Sequence, residues 1–144
     1  MRPWLEARIA LPFAPFIIDF VVRFLVLGQS LRWFYIPDIK TFTISIGIFC
    51  FLIASDMDRA PSIPSDSEYE QKILALRRRF NMFGIITTIF FGVAATVDAI
   101  ERKSATEEFS QSLYPAIFVV VATVFVIAVI EAIVANLRYK LKYG

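Results

Sequence analysis

The chain has 144 residues and a formal net charge of +2; 58% of it is hydrophobic, with 15 Phe and a mean hydropathy of +0.65. That composition lies far outside the range of soluble domains and makes lipid the solvent of the fold. With no histidine and the single cysteine Cys50, the usual haem ligand and the commonest catalytic base are missing, and one chain cannot build a disulfide framework or a cysteine-based zinc site.

Each crossing of the hydrocarbon takes roughly 17 to 25 mostly apolar residues, so four crossings and short loops use up nearly the whole chain. The expected fold class is all-α, an integral membrane four-helix bundle forming one domain. Arg2 and Arg8 precede an apolar stretch in the manner of a signal peptide, but Ala10, Leu11 and Pro12 make no small-residue cleavage pattern, so the segment is expected to be retained. Residues 3–10 read as a short interfacial helix with Pro3 in its first turn and Trp4 among headgroups, and Pro12 should break or kink the join that follows. The first span covers 13–31, closed by Arg32, Trp33 and Tyr35, which mark an interface.

The second span, 39–55, is short, with Lys40 snorkelling at one end and Asp56, Asp58 and Arg59 closing the other. Pro61, Ser62, Pro64 and Ser65 then make a loop. Ser65 with Glu68, or Ser67 with Glu70, fits a capping box, and no Gly or Pro follows until Gly84, so one helix is expected to run from there to Asp98. Its length is about 46 Å, some 15 Å more than the hydrocarbon requires. The third span proper is 80–98, and 56–79 form a loop and a stalk standing in the cytoplasm. On that stalk Tyr69, Ile73, Leu76 and Phe80 fall at i, i+4, i+7 and i+11, an apolar stripe beside Arg77, Arg78 and Arg79 that calls for a binding partner. A polar connection over 101–111 leads to the fourth span, 114–137, which the tail after Arg138 extends as a second stalk element.

Orientation follows from the cations. Arg2, Arg8, Arg59, Lys72, Arg77, Arg78, Arg79, Arg138, Lys140 and Lys142 fall on one side of this arrangement and Arg32, Lys40, Arg102 and Lys103 on the other. The richer side is cytoplasmic, which places both termini inside, in what reads as a bacterial inner membrane.

Three ionisable residues are expected within the hydrocarbon, where each is costly: Asp19 and Arg23 on the first span and Glu131 on the fourth. If Phe13 and Leu137 stand at the same boundary, Asp19 and Glu131 both lie roughly 9 Å deep and Arg23 about 6 Å further, so the three can form a cluster of charge −1. Such a cluster either fixes helix pairing as a buried polar network or relays protons or cations. The small residues predict the packing faces, with Thr43 and Gly47 of the second span meeting Gly84, Thr88 and Gly92 of the third. Asp98, Glu101, Glu107 and Glu108 gather at the outer surface as an acidic, solvated patch.

No phosphate-cradling loop, nucleophile and base set or metal-spaced carboxylate motif occurs, so neither an enzyme nor a cofactor or metal protein is expected, and no nucleic acid partner. The expected role is a small multi-pass subunit that homo-oligomerises and anchors or signals to a cytosolic protein through the loop and stalk, as in the membrane half of a two-component bacterial sensing or defence system. The alternative is an ion channel or proton-coupled transporter built around Asp19, Arg23 and Glu131.

Overall fold

The computed structural model describes residues 6–8, 10, 12–14, 17–18, 21–22, 25, 38–59, 67–104 and 108–139. All described elements are helical. Three are continuous: α1 (Ile39–Asp58), α2 (Ser67–Ser104) and α3 (Glu108–Tyr139). Their 20, 38 and 32 residues correspond to about 30, 57 and 48 Å. Each is long and apolar enough to cross a membrane.

Local chemistry sets the ends. Asp38 caps α1, its carboxylate accepting from the Lys40 N–H at 3.3 Å and the Thr41 hydroxyl at 3.0 Å, which satisfies donors that the first turn leaves free. All three helices outrun the expected spans. α1 continues past 55 to Asp58 because its terminal acids find cations, as described below. α2 continues past Asp98 to Ser104, since nothing breaks it and Arg102 and Lys103 suit the negative end of a helix. α3 starts at Glu108 rather than Tyr114 and carries Pro115 inside it. The proline ring is exposed, and Glu101 accepts from the Ser110 N–H in the first turn at 2.6 Å.

α1 and α2 run antiparallel and share the most extensive interface. Gly47 is what lets them approach: a methyl group there would meet the Thr87 hydroxyl at 3.0 Å and the Gly84 carbonyl at 3.7 Å. Thr43, Thr87 and Thr88 turn their hydroxyls back onto carbonyls of their own helices, so they add packing surface without leaving polar groups unpaired. Gly84 abuts the Phe51 ring, whereas Gly92 faces open space with nothing within 4 Å. The expected stripe thus divides, with Thr43, Gly47 and Gly84 in the α1–α2 contact, Thr88 at its edge and Gly92 outside it.

α3 lies antiparallel to α2 and brings Ala128, Ala132 and Ala135 into the core against Phe49, Ile53 and Phe80. Of the first span, Pro12–Ala14 are helical and Pro12 is buried; Phe13 meets Phe125 with ring centroids 5.1 Å apart. The outward faces stay apolar: Met82, Ile85 and Ile89 on α2 are 53%, 54% and 59% exposed, which is what lipid-facing positions require.

Candidate functional site at the base of the stalk

α2 and α3 both run beyond the end of α1, so the stalk is a pair of helices. Two ion pairs mark its base. Arg77 reaches Asp58 of α1 at 2.7 Å, and Arg79, on the other flank of α2, reaches Glu131 of α3 at 2.5 Å. The two arginines are two residues apart, about 200° around the helix, so one helix can hold a neighbour on either side.

Between those flanks Tyr69, Ile73 and Leu76 point inward and pack on the core with the fully buried Phe80. At the tip Tyr69 meets Tyr139 of α3 edge to face, with centroids 5.1 Å apart. Burial first, then the neighbouring Tyr139, pushes the Tyr69 hydroxyl above its ordinary pKa. The apolar stripe expected to take a partner is therefore covered by the chain's own α3. The surface left outside carries Glu68 paired with Lys72 at 2.6 Å, an exposed pair of little energetic weight, and the exposed Arg78.

Asp19 and Arg23 lie outside the described residues, but the register assumed for their cluster with Glu131 is not the one observed. Phe13 stands beside Phe125, not beside Leu137, a difference of twelve residues or about 18 Å along α3. Glu131 is joined to Arg79 through Oε1, while its Oε2 is buried and has no hydrogen-bond partner among the described residues.

Several partnerships are absent from the sequence reading. The carboxylate of Asp56, wholly buried, receives both Nε and Nη2 of Arg8, at 2.7 and 2.5 Å, tying the N-terminal segment to the end of α1. At the opposite end Asp98 accepts from Lys40 of α1 and from the Tyr114 hydroxyl of α3, linking all three helices. Asp98 thus belongs to an inter-helix network rather than to an open acidic patch, and Glu107 lies outside the described residues. The signal for Lys40 and Asp98 is present in the sequence: opposite charges at the first turn of one span and the last residue of the next, brought to one face by antiparallel packing.

The exposed apolar surface of both helices continues past the Arg79–Glu131 pair. On α2, Arg78 interrupts the line of Met82, Ile85 and Ile89, and Leu74, 42% exposed, resumes it about 7.5 Å beyond Arg79. On α3, Val134 and Leu137, 43% and 62% exposed, lie beyond Glu131 in the same direction by about 4.5 and 9 Å. The stalk therefore carries exposed apolar side chains on both helices beyond its arginines.

The fold and its surface define an all-helical protein with three helices long and apolar enough to cross a membrane and two ion pairs at the base of a two-helix stalk. Comparison with protein-family models, curated proteins and solved structures finds no match.

Proposed function

We propose that the protein is a small membrane subunit that crosses the bilayer four times, keeps both termini in the cytoplasm, and uses its stalk to hold a second copy or a cytosolic protein. The observation that carries this reading is the exposed apolar surface of the stalk beyond its arginines, Leu74 on α2 and Val134 and Leu137 on α3. If hydrocarbon ended at Leu137, the exposed Arg78, which makes no ion pair among the described residues, would be drawn into lipid, at a cost of about 2.5–3.5 kcal/mol near the centre and less toward the boundary. If it ends between Met82 and Arg78, Val134 and Leu137 stand in water, and covering them gains up to about 1.5–3 kcal/mol each. A protein surface seated on the α3 side of the stalk resolves both.

The docking face is accordingly Val134 and Leu137, on the α3 side of the stalk. The roles expected for Tyr69, Ile73, Leu76 and Phe80 change from contact to support: they hold the two helices together so that the outer face is rigid. The mass of the intact complex, extracted in a mild detergent, tests this. More than one chain, falling to a single chain in Val134→Asp and Leu137→Asp while helicity is kept, supports it; a wild-type monomer without partner sinks it.

A transport role has one observation in its favour, the buried Oε2 of Glu131, a free acceptor beside a paired arginine. In that reading Glu131 exchanges a proton or small cation at the stalk base. Proton or cation flux into liposomes, lost in Glu131→Gln, would replace the anchoring role; its absence removes this alternative.

A further inference from the structure

The three consecutive arginines of α2 have different fates. Arg77 is turned toward α1 and neutralised by Asp58, and Arg79 toward α3 and neutralised by Glu131. Arg78 lies between them, opposite the buried Phe80 face, and makes no ion pair among the described residues. It falls in line with Leu74 on one side and Met82, Ile85 and Ile89 on the other, at i, i+4, i+8, i+11 and i+15, so it interrupts the exposed apolar line of α2 and bounds the stretch that begins at Met82.

The stretch between Arg78 and Arg102 has the dimension of a bilayer. From Met82 to Ile100, both about half exposed, is 18 steps of 1.5 Å, about 27 Å, against a hydrocarbon thickness of about 30 Å. Exposed cations bound it at each end, Arg78 on the stalk side and Arg102 and Lys103 on the other. The Arg78 guanidinium is thus held where lipid phosphates lie. A second cation stands at the same level: Arg59, the C-cap of α1, is exposed, follows directly on the Asp58 that binds Arg77, and likewise makes no ion pair among the described residues.

We infer that Arg59 and Arg78, flanking the Asp58–Arg77 pair, form a binding site for the phosphate of an anionic phospholipid in the leaflet on the stalk side. Guanidinium suits this ligand because its fork meets two phosphate oxygens at once, and the ion pair between the two arginines fixes α1 against α2, so the site is preorganised. A lipid fits better than a soluble phosphate compound because the apolar line below Arg78 gives acyl chains a surface continuous with the headgroup contact. The inference rests on α2 crossing the membrane and is independent of what the stalk holds.

The test uses the full chain in nanodiscs of phosphatidylcholine with and without phosphatidylglycerol, counting phosphatidylglycerol molecules retained by native mass spectrometry after release. The wild type should retain phosphatidylglycerol selectively, and Arg59→Gln with Arg78→Gln should weaken retention roughly tenfold or more, taking about 1 kcal/mol for each arginine near the surface as the scale. Lys72→Gln removes the same charge about 9 Å further along the stalk and should leave retention unchanged. Equal loss in Lys72→Gln, undiminished retention in the double variant, or displacement of the lipid by inorganic phosphate would each overturn the site. Both arginines are exposed, so the double variant should keep its helicity and melting temperature, and an unchanged complex mass would separate this result from the stalk's own role.

Discussion

Asp56 and Glu131 are two carboxylates with different debts to their arginines. Asp56 is fully buried and Arg8 nearly so; an ion pair in that setting gives little net stability, but removing one partner strands the other charge. Arg8→Ala should therefore lower the stability of the detergent-solubilised protein by about 3–5 kcal/mol, read as a fall in melting temperature, and adding Asp56→Ala should recover part of the loss. Full additivity of the two substitutions would show that they act independently. Glu131 is mostly buried while Arg79 is about half exposed, so that pair should respond asymmetrically. Arg79→Ala leaves a carboxylate with neither oxygen partnered and should cost about 2–3 kcal/mol, whereas Glu131→Ala frees Arg79 into water at under about 1 kcal/mol beyond lost packing. Equal losses in the same melting experiment would mean that Arg79 is not what compensates Glu131.

Among the elements, glycine spacing points to a packing face without saying which glycines use it. Gly47, Gly84 and Gly92 all fit a small-residue stripe, but Gly47 is wedged against Thr87, whose hydroxyl is fixed by bonds to the Phe83 and Gly84 carbonyls, while Gly92 has nothing near it. Gly47→Ala should consequently separate α1 from α2 and cost about 1–3 kcal/mol, and Gly92→Ala should be neutral or gain a few tenths through helix propensity. Thermal melts of the two variants side by side decide this, and comparable losses would place Gly92 in a contact with another copy. The helices themselves were legible from apolar length and capping signals, as the Ser67 and Glu70 pair and the run free of Gly and Pro up to Gly84 show, although the Asp38 cap of α1 was not. Their ends were less so: Asp56, Asp58 and Asp98 look like stop signals when read alone, and only antiparallel neighbours carrying Arg8, Arg77 and Lys40 reveal why the helices continue. The same holds for Tyr69, Ile73 and Leu76, whose periodicity announces a buried face but not that Tyr139, seventy residues later, covers its tip.

At the scale of the whole molecule, charge and packing constrain the topology from separate directions. The antiparallel order places Arg8, Asp56, Asp58, Arg77 and the tip of the stalk at one end, and Lys40, Asp98 and Tyr114 at the other. The first end is also where the excess of Lys and Arg collects, and translocation disfavours carrying that excess across. The two ends should therefore be chemically distinguishable in intact cells. Cys50 is the only cysteine and is buried, so Cys50→Ala gives a background free of thiols at little structural cost. Into it Glu70→Cys, on the exposed stalk, and Arg102→Cys, at the far end of α2, each place one reactive thiol. A maleimide that does not cross membranes should label Arg102→Cys in intact cells and Glu70→Cys only after permeabilisation. The reverse pattern would put the stalk outside and rule out a cytosolic partner. Labelling of both thiols in intact cells would mean that α2 does not span the bilayer; the lipid site at Arg59 and Arg78 would then fail with it, since its phosphate ligand depends on the level at which α2 leaves the hydrocarbon.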